Sequence, residues 1–187
     1  MALSPNRLVN GTRVASLCAS LSVVFTEVRG ETVIIDNFNI DLAKSLVDGV
    51  IASNGEGFVY KRPSGSDCQY VHRNMRWDDS VEDYVSSDDV APGCVWGHAL
   101  FTAAIPLEEF ENVEGSSIEE VLSRFQARGL VGEVEDLAAA WSYIVQHKQD
   151  TGSTWGEARE YANALLEESA SKTVHEWDRA QWMRDQV

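Results

Sequence analysis

A chain of 187 residues that is 44% hydrophobic and 24% charged, with 4 prolines and 13 glycines, has the size and composition of a single globular domain and leaves no place for a long disordered or fibrous tract. Its 15 Lys and Arg against 30 Asp and Glu give a net charge of −15, which argues against direct binding of nucleic-acid phosphates or of an anionic membrane surface. Three cysteines, Cys18, Cys68 and Cys94, are too few and odd in number for a disulfide scaffold, and fit a reducing cytoplasm.

The first apolar stretch, Val14 to Phe25, is broken by Ser16, Ser20 and Ser22 and falls short of the ~20 residues of a membrane span. It runs into Thr26-Glu27 without a small-x-small cleavage site, so Arg7 and Arg13 do not make it a secretory signal. Residues 21–38 are predicted to form a β-hairpin, with Leu21, Val23 and Phe25 alternating outward, Arg29-Gly30 as the turn and Thr32-Val33-Ile34-Ile35 returning. A helix capped by Asn39 or Asp41 then carries Leu42, Leu46, Val47, Val50 and Ile51 on one stripe, ends before Asn54-Gly55 and should pack on that hairpin. A second hairpin is expected from Phe58-Val59-Tyr60, a turn over Pro63 to Asp67, and Cys68-Gln69-Tyr70-Val71-His72.

Beyond Pro92 the pattern is helical, over 94–104, a short turn at 107–111, then 117–128, 134–149, 154–169 and 173–184, with Gly115, Gly129, Gly132 and Gly152 as breaks. Ser116-Ser117 before Glu119-Glu120, and Ser153-Thr154 before Glu157, have the spacing of capping boxes. Two of these helices open alike: Trp96-Gly97-His98-Ala99 with Ala103, and Trp155-Gly156-Glu157-Ala158 with Ala162. Such a Gly and Ala face lets another backbone approach closely beside a tryptophan anchor. Trp141, Trp177 and Trp182 fall where a core or a helix seam is expected. The fold class is therefore α+β, in one domain: N-terminal hairpins with one helix (1–73), an acidic loop (74–92) and a mainly α-helical C-terminal half (93–187).

The charge is concentrated. Residues 78–120 hold Asp78, Asp79, Glu82, Asp83, Asp88, Asp89, Glu108, Glu109, Glu111, Glu114, Glu119 and Glu120 and no Lys or Arg, a local −12, whereas 1–77 carry +1 and 121–187 carry −4. A solvated acidic loop is one reading. A docking surface for a basic partner is the other, with Trp77, Tyr84, Trp96 and Phe110 as anchors among the carboxylates; a mimic of DNA that occupies a nucleic-acid-binding enzyme is its special case. Asp78-Asp79 and Asp88-Asp89 lack the alternating spacing of a calcium loop.

Cys68 and His72, and again Cys94 and His98, are four positions apart. Two thiolates and two imidazoles are ligands that zinc selects, and i, i+4 pairs converge on a strand face or on one helical turn, so a structural zinc could clasp the β portion to the helices. The C-x3-H half-site is nonetheless atypical for zinc, and buried core cysteines with ordinary histidines are the competing reading. A third use is catalytic. Cys94 after Pro92-Gly93 at a helix start would have its thiol activated by the helix dipole, with His72 or His98 as base, or three of the four residues would hold a catalytic zinc. No H-x-E with P-C-x-x-C of a zinc deaminase, no phosphate-binding loop, no G-x-S-x-G and no H-E-x-x-H is present. His147 and His175 have no metal-spaced neighbour, and Cys18 is expected in the core.

The segments Cys68-Gln69-Tyr70-Val71-His72, Pro92-Gly93-Cys94-Val95-Trp96-Gly97-His98-Ala99-Leu100, Ile105-Pro106-Leu107 and Asp150-Thr151-Gly152-Ser153-Thr154-Trp155-Gly156-Glu157-Ala158 resemble those of small proteins of actinobacterial phages, mycobacteriophage-like, over roughly residues 58–165. This chain departs from them in Trp96, where an aliphatic residue is expected, and in the acidic insertion at 74–91. The resemblance implies a phage accessory protein in the cytoplasm of an infected bacterium, and implies no activity. The expectation is a non-enzymatic factor that modulates a host protein of basic surface through Trp77, Asp78, Asp79, Glu82, Asp83, Tyr84, Asp88 and Asp89. A homodimer is compatible with the helical half and its tryptophans.

Overall fold

The computed structural model describes residues 16–17, 21–22, 26–28, 31–61, 68–78, 80, 83–172 and 175–187, with side-chain surroundings for 34–61, 68–73, 80, 90–172 and 175–187. The fold is α+β with a mainly helical C-terminal half. Near the start, β1 (Ser16–Leu17) pairs antiparallel with β2 (Leu21–Ser22), and β3 (Thr26–Val28) with β4 (Glu31–Val33). The pairing of Val28 with Glu31 agrees with the turn predicted at Arg29-Gly30, although those two residues and 23–25 lie outside the described residues, and the paired part is shorter than the predicted 21–38. β5 (Ile35–Phe38) leaves it to pair in parallel with β8 (Val131–Val134), through Ile35 opposite Val131 and Phe38 opposite Val134.

α1 (Ile40–Asn54) begins at the predicted cap, where Asn39 accepts from the Leu42 amide, and it buries Ala43, Leu46, Val47, Val50 and Ile51. It packs against α2 (Val95–Thr102), α4 (Asp136–Asp150) and α5 (Trp155–Ser169), and shares one buried cluster with Ile34, Ile35 and Phe38 of the expected hairpin. α3 (Ile118–Ala127) and a 3-10 turn at Leu107–Phe110 precede β8, and α6 (Glu176–Arg184) closes the chain. Gly129 and Gly152, at φ 71° and 96°, end α3 and α4 in the left-handed conformation that favours glycine.

α4 is buried on nearly every side, through Leu137, Ala138, Ala139, Ala140, Trp141, Ser142, Ile144, Val145, Gln146 and Gln149. A helix this thoroughly covered is the axis of the core, and α3, α5 and α6 wrap it. One continuous buried cluster joins it to β5, α1, α2 and β8. Trp141 is wholly buried and Trp182 packs at the core's edge. Trp177 departs from expectation: it is 61% exposed, because α6 turns only Ala180 and Met183 inward.

The repeated Trp-Gly-x-Ala openings do what their composition predicts. Trp96, Trp155, Ala99, Ala103, Ala158 and Ala162 are buried, and each glycine meets a passing backbone carbonyl. A Cβ on Gly97 would lie 2.0 Å from the Tyr70 oxygen, and one on Gly156 would lie 2.9 Å from that of Glu56. Thr154 completes the predicted capping box with Glu157, while Ser117 caps α3 through the Glu120 amide alone.

Two expectations fail between residues 58 and 92. Val59 makes only an isolated bridge to Thr154, and the second hairpin is formed instead by β6 (Val71–Asp78) and β7 (Asp83–Pro92). Of the segment assigned to an acidic loop at 74–92, residues 74–78 and 83–92 are therefore paired strand. The β-branched and aromatic residues Val71, Trp77, Tyr84, Val85 and Val90 favour extension, and the dense carboxylates obscured that signal.

Candidate functional site

The acidic hairpin and the cluster at its base form one unit. Glu114 anchors the incoming strand, with its two carboxylate oxygens accepting from the amides of Tyr70 and Val71, each at 2.8 Å. Burial raises the Glu114 carboxyl above its ordinary range, against the lowering pull of those two amides and of Arg73. The Tyr70 hydroxyl donates to the Ser116 carbonyl at 3.1 Å and accepts from Gln146 at 3.1 Å. Across the base, the Gly93 amide donates to the Tyr70 carbonyl at 2.9 Å and the Cys94 amide to that of Gln69 at 2.8 Å. A Cβ on Gly93 would lie 2.4 Å from the Gln69 oxygen and 2.8 Å from the His72 ring, which is why glycine precedes Cys94.

Cys68 and Cys94 are both buried and free. The Cys94 thiol neighbours that of Cys68, and its sulfur caps α2 by accepting from the Gly97 amide at 3.4 Å. His72 stacks on Tyr60 at 5.6 Å, and its Nε2 pairs with the Tyr60 hydroxyl at 3.1 Å. His98 instead sets its ring edge against Trp155 at 5.5 Å. Among the described residues, no three Cys, His, Asp or Glu side chains gather around one point that could hold an ion. Cys68, His72, Cys94 and His98 are not gathered as the expected clasp in this structure: the thiols turn into the core while each imidazole packs on an aromatic ring. Cys68 also precedes β6 rather than lying on it, so the shared strand face expected for Cys68 and His72 is missing.

The catalytic alternative fares no better. Cys94 does sit at a helix start, where the Gly97 and Trp96 amides lower its thiol pKa, but complete burial outweighs them and pushes the thiol well above its usual range. Burial holds His72 below the ordinary histidine range; burial and the neighbouring His72 do the same for His98. Burial likewise raises the hydroxyls of Tyr60 and Tyr70. Cys94, His72 and His98 are each shifted toward the neutral form, the reverse of an activated thiolate and imidazolium pair.

These depressed imidazoles give a pH dependence. Between their folded pKa values and ~6.5, the unfolded chain binds more protons than the folded one, so stability falls as acid is added. Glu114, raised in the folded state, contributes the opposite slope above ~4.5. The expected result is a loss of unfolding temperature from pH 7.5 to 5.5 that is clearly smaller in His72→Gln/His98→Gln. An equal loss in both proteins would remove the two histidines from the account.

The acidic segment divides in two. Glu109 pairs with Arg128, Glu111 with Arg73, and Glu119 with Arg184 at 2.7 Å, while Glu114 is spent on the strand amides. Trp96 and Phe110 are wholly buried and cannot be docking anchors. Of the other eight carboxylates, Glu108 and Glu120 are exposed on the 3-10 turn and on α3, and Asp78, Asp79, Glu82, Asp83, Asp88 and Asp89 make up the six of segment 78–89. Asp79 and Glu82 lie outside the described residues, as does Cys18. For the rest, the register sets Trp77 opposite Tyr84 and Asp78 opposite Asp83. β6 and β7 form a sheet of two.

Tyr60, Glu114 and Gln149 were missed from sequence. The Gln149 oxygen accepts from the Val95 amide at 2.7 Å and from the Trp155 indole at 2.9 Å, while its nitrogen reaches the Cys68 sulfur at 3.7 Å. A lone glutamine late in a helix carries no signal of such a role. Among the described residues, no helix is long and apolar enough to cross a membrane. No family model, no curated protein and no solved structure matches this chain.

Proposed function

We propose that the protein is a binding factor whose acidic hairpin docks on a basic surface of a partner protein, as a phage accessory factor would on a host protein in the bacterial cytoplasm. The observation that carries this reading is the register. Asp78 faces Asp83 at the far end of a two-stranded ribbon whose residues 78–89 hold six acids and no base. Like charges directly opposite each other weaken a strand pair, and a lone two-stranded ribbon is marginal in water. A cationic partner relieves that repulsion on contact and is steered to it from a distance. Trp77 opposite Tyr84 supplies aromatic anchors of the kind that dominate interface energies.

The test is affinity capture from lysate of the bacterial host with the full chain, followed by binding measurements on the captured protein. The expected result is one stoichiometric partner with a basic surface, bound at least tenfold more weakly by Asp78→Lys/Asp79→Lys/Asp88→Lys/Asp89→Lys and progressively lost as salt rises. Binding that survives all four reversals would reject the reading. If the partner is a nucleic-acid-binding enzyme and duplex DNA competes for the same site, the docking is of the DNA-mimic kind.

A further inference from the structure

The two buried thiols have a use that neither a metal nor a nucleophile supplies. Cys68 lies three residues before β6 and Cys94 two residues after β7, so the pair brackets the whole acidic ribbon. Several contacts hold them together. The Cys94 amide bonds the carbonyl of Gln69, next in chain to Cys68. The Cys68 carbonyl accepts from Gly115 at 3.2 Å. Gln149 spans from the Cys68 sulfur to the amide of Val95, the residue after Cys94. The Cys68 thiol also neighbours that of Cys94 closely enough to help raise its pKa. Cys68, though 4% exposed, lines a cleft of about 210 Å³ with Ser116, Ser117, Tyr143, His147 and Asp150, whereas Cys94 is 0% exposed and does not line it, so Cys68 is the thiol placed for a small reagent to reach first.

We infer that Cys68 and Cys94 are a reversible dithiol–disulfide pair that clips the base of the acidic hairpin. The oxidant is a low-molecular-weight disulfide entering by the cleft. The Cys68 thiolate attacks it, forming a mixed disulfide and releasing one thiolate. The Cys94 thiolate then attacks the Cys68 sulfur, forming the Cys68–Cys94 bond and releasing the second. Two protein thiols are oxidised, one small disulfide is reduced to two thiols, and the two protein protons pass to the released thiolates. The bond forms once the neighbouring thiols close to the ~2.05 Å of a disulfide. The bond fastens the two ends of the ribbon covalently, where hydrogen bonds and strand pairing hold them in the reduced chain.

The test uses the full chain equilibrated with oxidised and reduced glutathione in graded ratios, quenched by alkylation and weighed intact. The expected product has lost two hydrogens, maps to Cys68–Cys94 with Cys18 alkylated, and reverts with dithiothreitol. Cys94→Ser, which keeps a side-chain oxygen to cap α2, should stop at a stable glutathione adduct on Cys68. Amide hydrogen exchange at Gly93 and Cys94 should slow on oxidation. A persistent adduct on the unmutated chain, a linkage through Cys18, no reaction at all, or unchanged exchange at the base would each overturn the inference. None of these readouts depends on a partner, so the docking reading and this one can fail separately.

Discussion

Gly97→Ala is expected to lower the unfolding temperature by roughly 6–12 °C, although alanine is the better helix former by about 1 kcal/mol. The new methyl would lie 2.0 Å from the Tyr70 carbonyl oxygen and 2.9 Å from its carbon. That obstacle is backbone rather than the end of a flexible side chain. It is also fixed: the Tyr70 amide is held by Glu114 and its carbonyl by Gly93. α2 cannot retreat, since Trp96 behind it is wholly buried and its indole donates to the Ser142 carbonyl at 2.9 Å. Overpacking of this kind costs about 3 kcal/mol. Gly156→Ala, with 2.9 Å to the Glu56 oxygen, should cost about a third of that. Gly49→Ala provides the opposite sign, because the site is exposed in the middle of α1 with nothing within 4 Å and gains about 0.5–1 kcal/mol of helix propensity. Thermal melts of the three variants check the series; equal losses for Gly97→Ala and Gly156→Ala would sink the close-approach account.

The glycine pattern shows what was legible. Trp-Gly-x-Ala at two helix starts announced close backbone contact, and the six helical stretches from residue 40 onward lie within a few residues of their predicted bounds, because apolar period and capping residues are local signals. The strands were harder. β8 consists of Val131-Gly132-Glu133-Val134, too short to stand out, and its partner β5 lies almost a hundred residues earlier, so no local pattern could reveal the pair. The hairpin was misplaced because turn residues Pro63 to Asp67 look stronger than Asp78 to Asp83, where the chain turns with carboxylates rather than glycine.

The candidate site was legible in composition and not in geometry. Spacing brought Cys68 and Cys94 to notice together, and they do meet. It could not show that His72 is claimed by Tyr60 and His98 by Trp155, since those contacts come from α5 and from the stretch after α1. Nor could it show that Glu109, Glu111, Glu114 and Glu119 are each paired within the molecule, which takes four of the twelve acids out of the exposed charge and leaves the hairpin segment 78–89 with six of the remaining eight.

Gln149→Leu should produce the other large loss, of about 3–5 kcal/mol, by leaving donors stranded rather than by changing volume. Its oxygen is the acceptor for both the Val95 amide and the Trp155 indole, and both residues are wholly buried, so each donor would be left without water or partner at about 1–3 kcal/mol apiece. The mechanism predicts a specific non-additivity. Trp155→Phe removes one of the stranded donors, so it should cost less in the Gln149→Leu background than alone, by about 1 kcal/mol in a double-mutant cycle read from denaturant melts. Simple additivity would assign the loss to packing. The same glutamine ties Cys68 to the start of α2, so the variant should also alkylate faster at Cys68 and Cys94 under native conditions. A thiol rate that stays at the unmutated level despite the lost stability would mean that Gln149 braces the helices without closing the base of the hairpin.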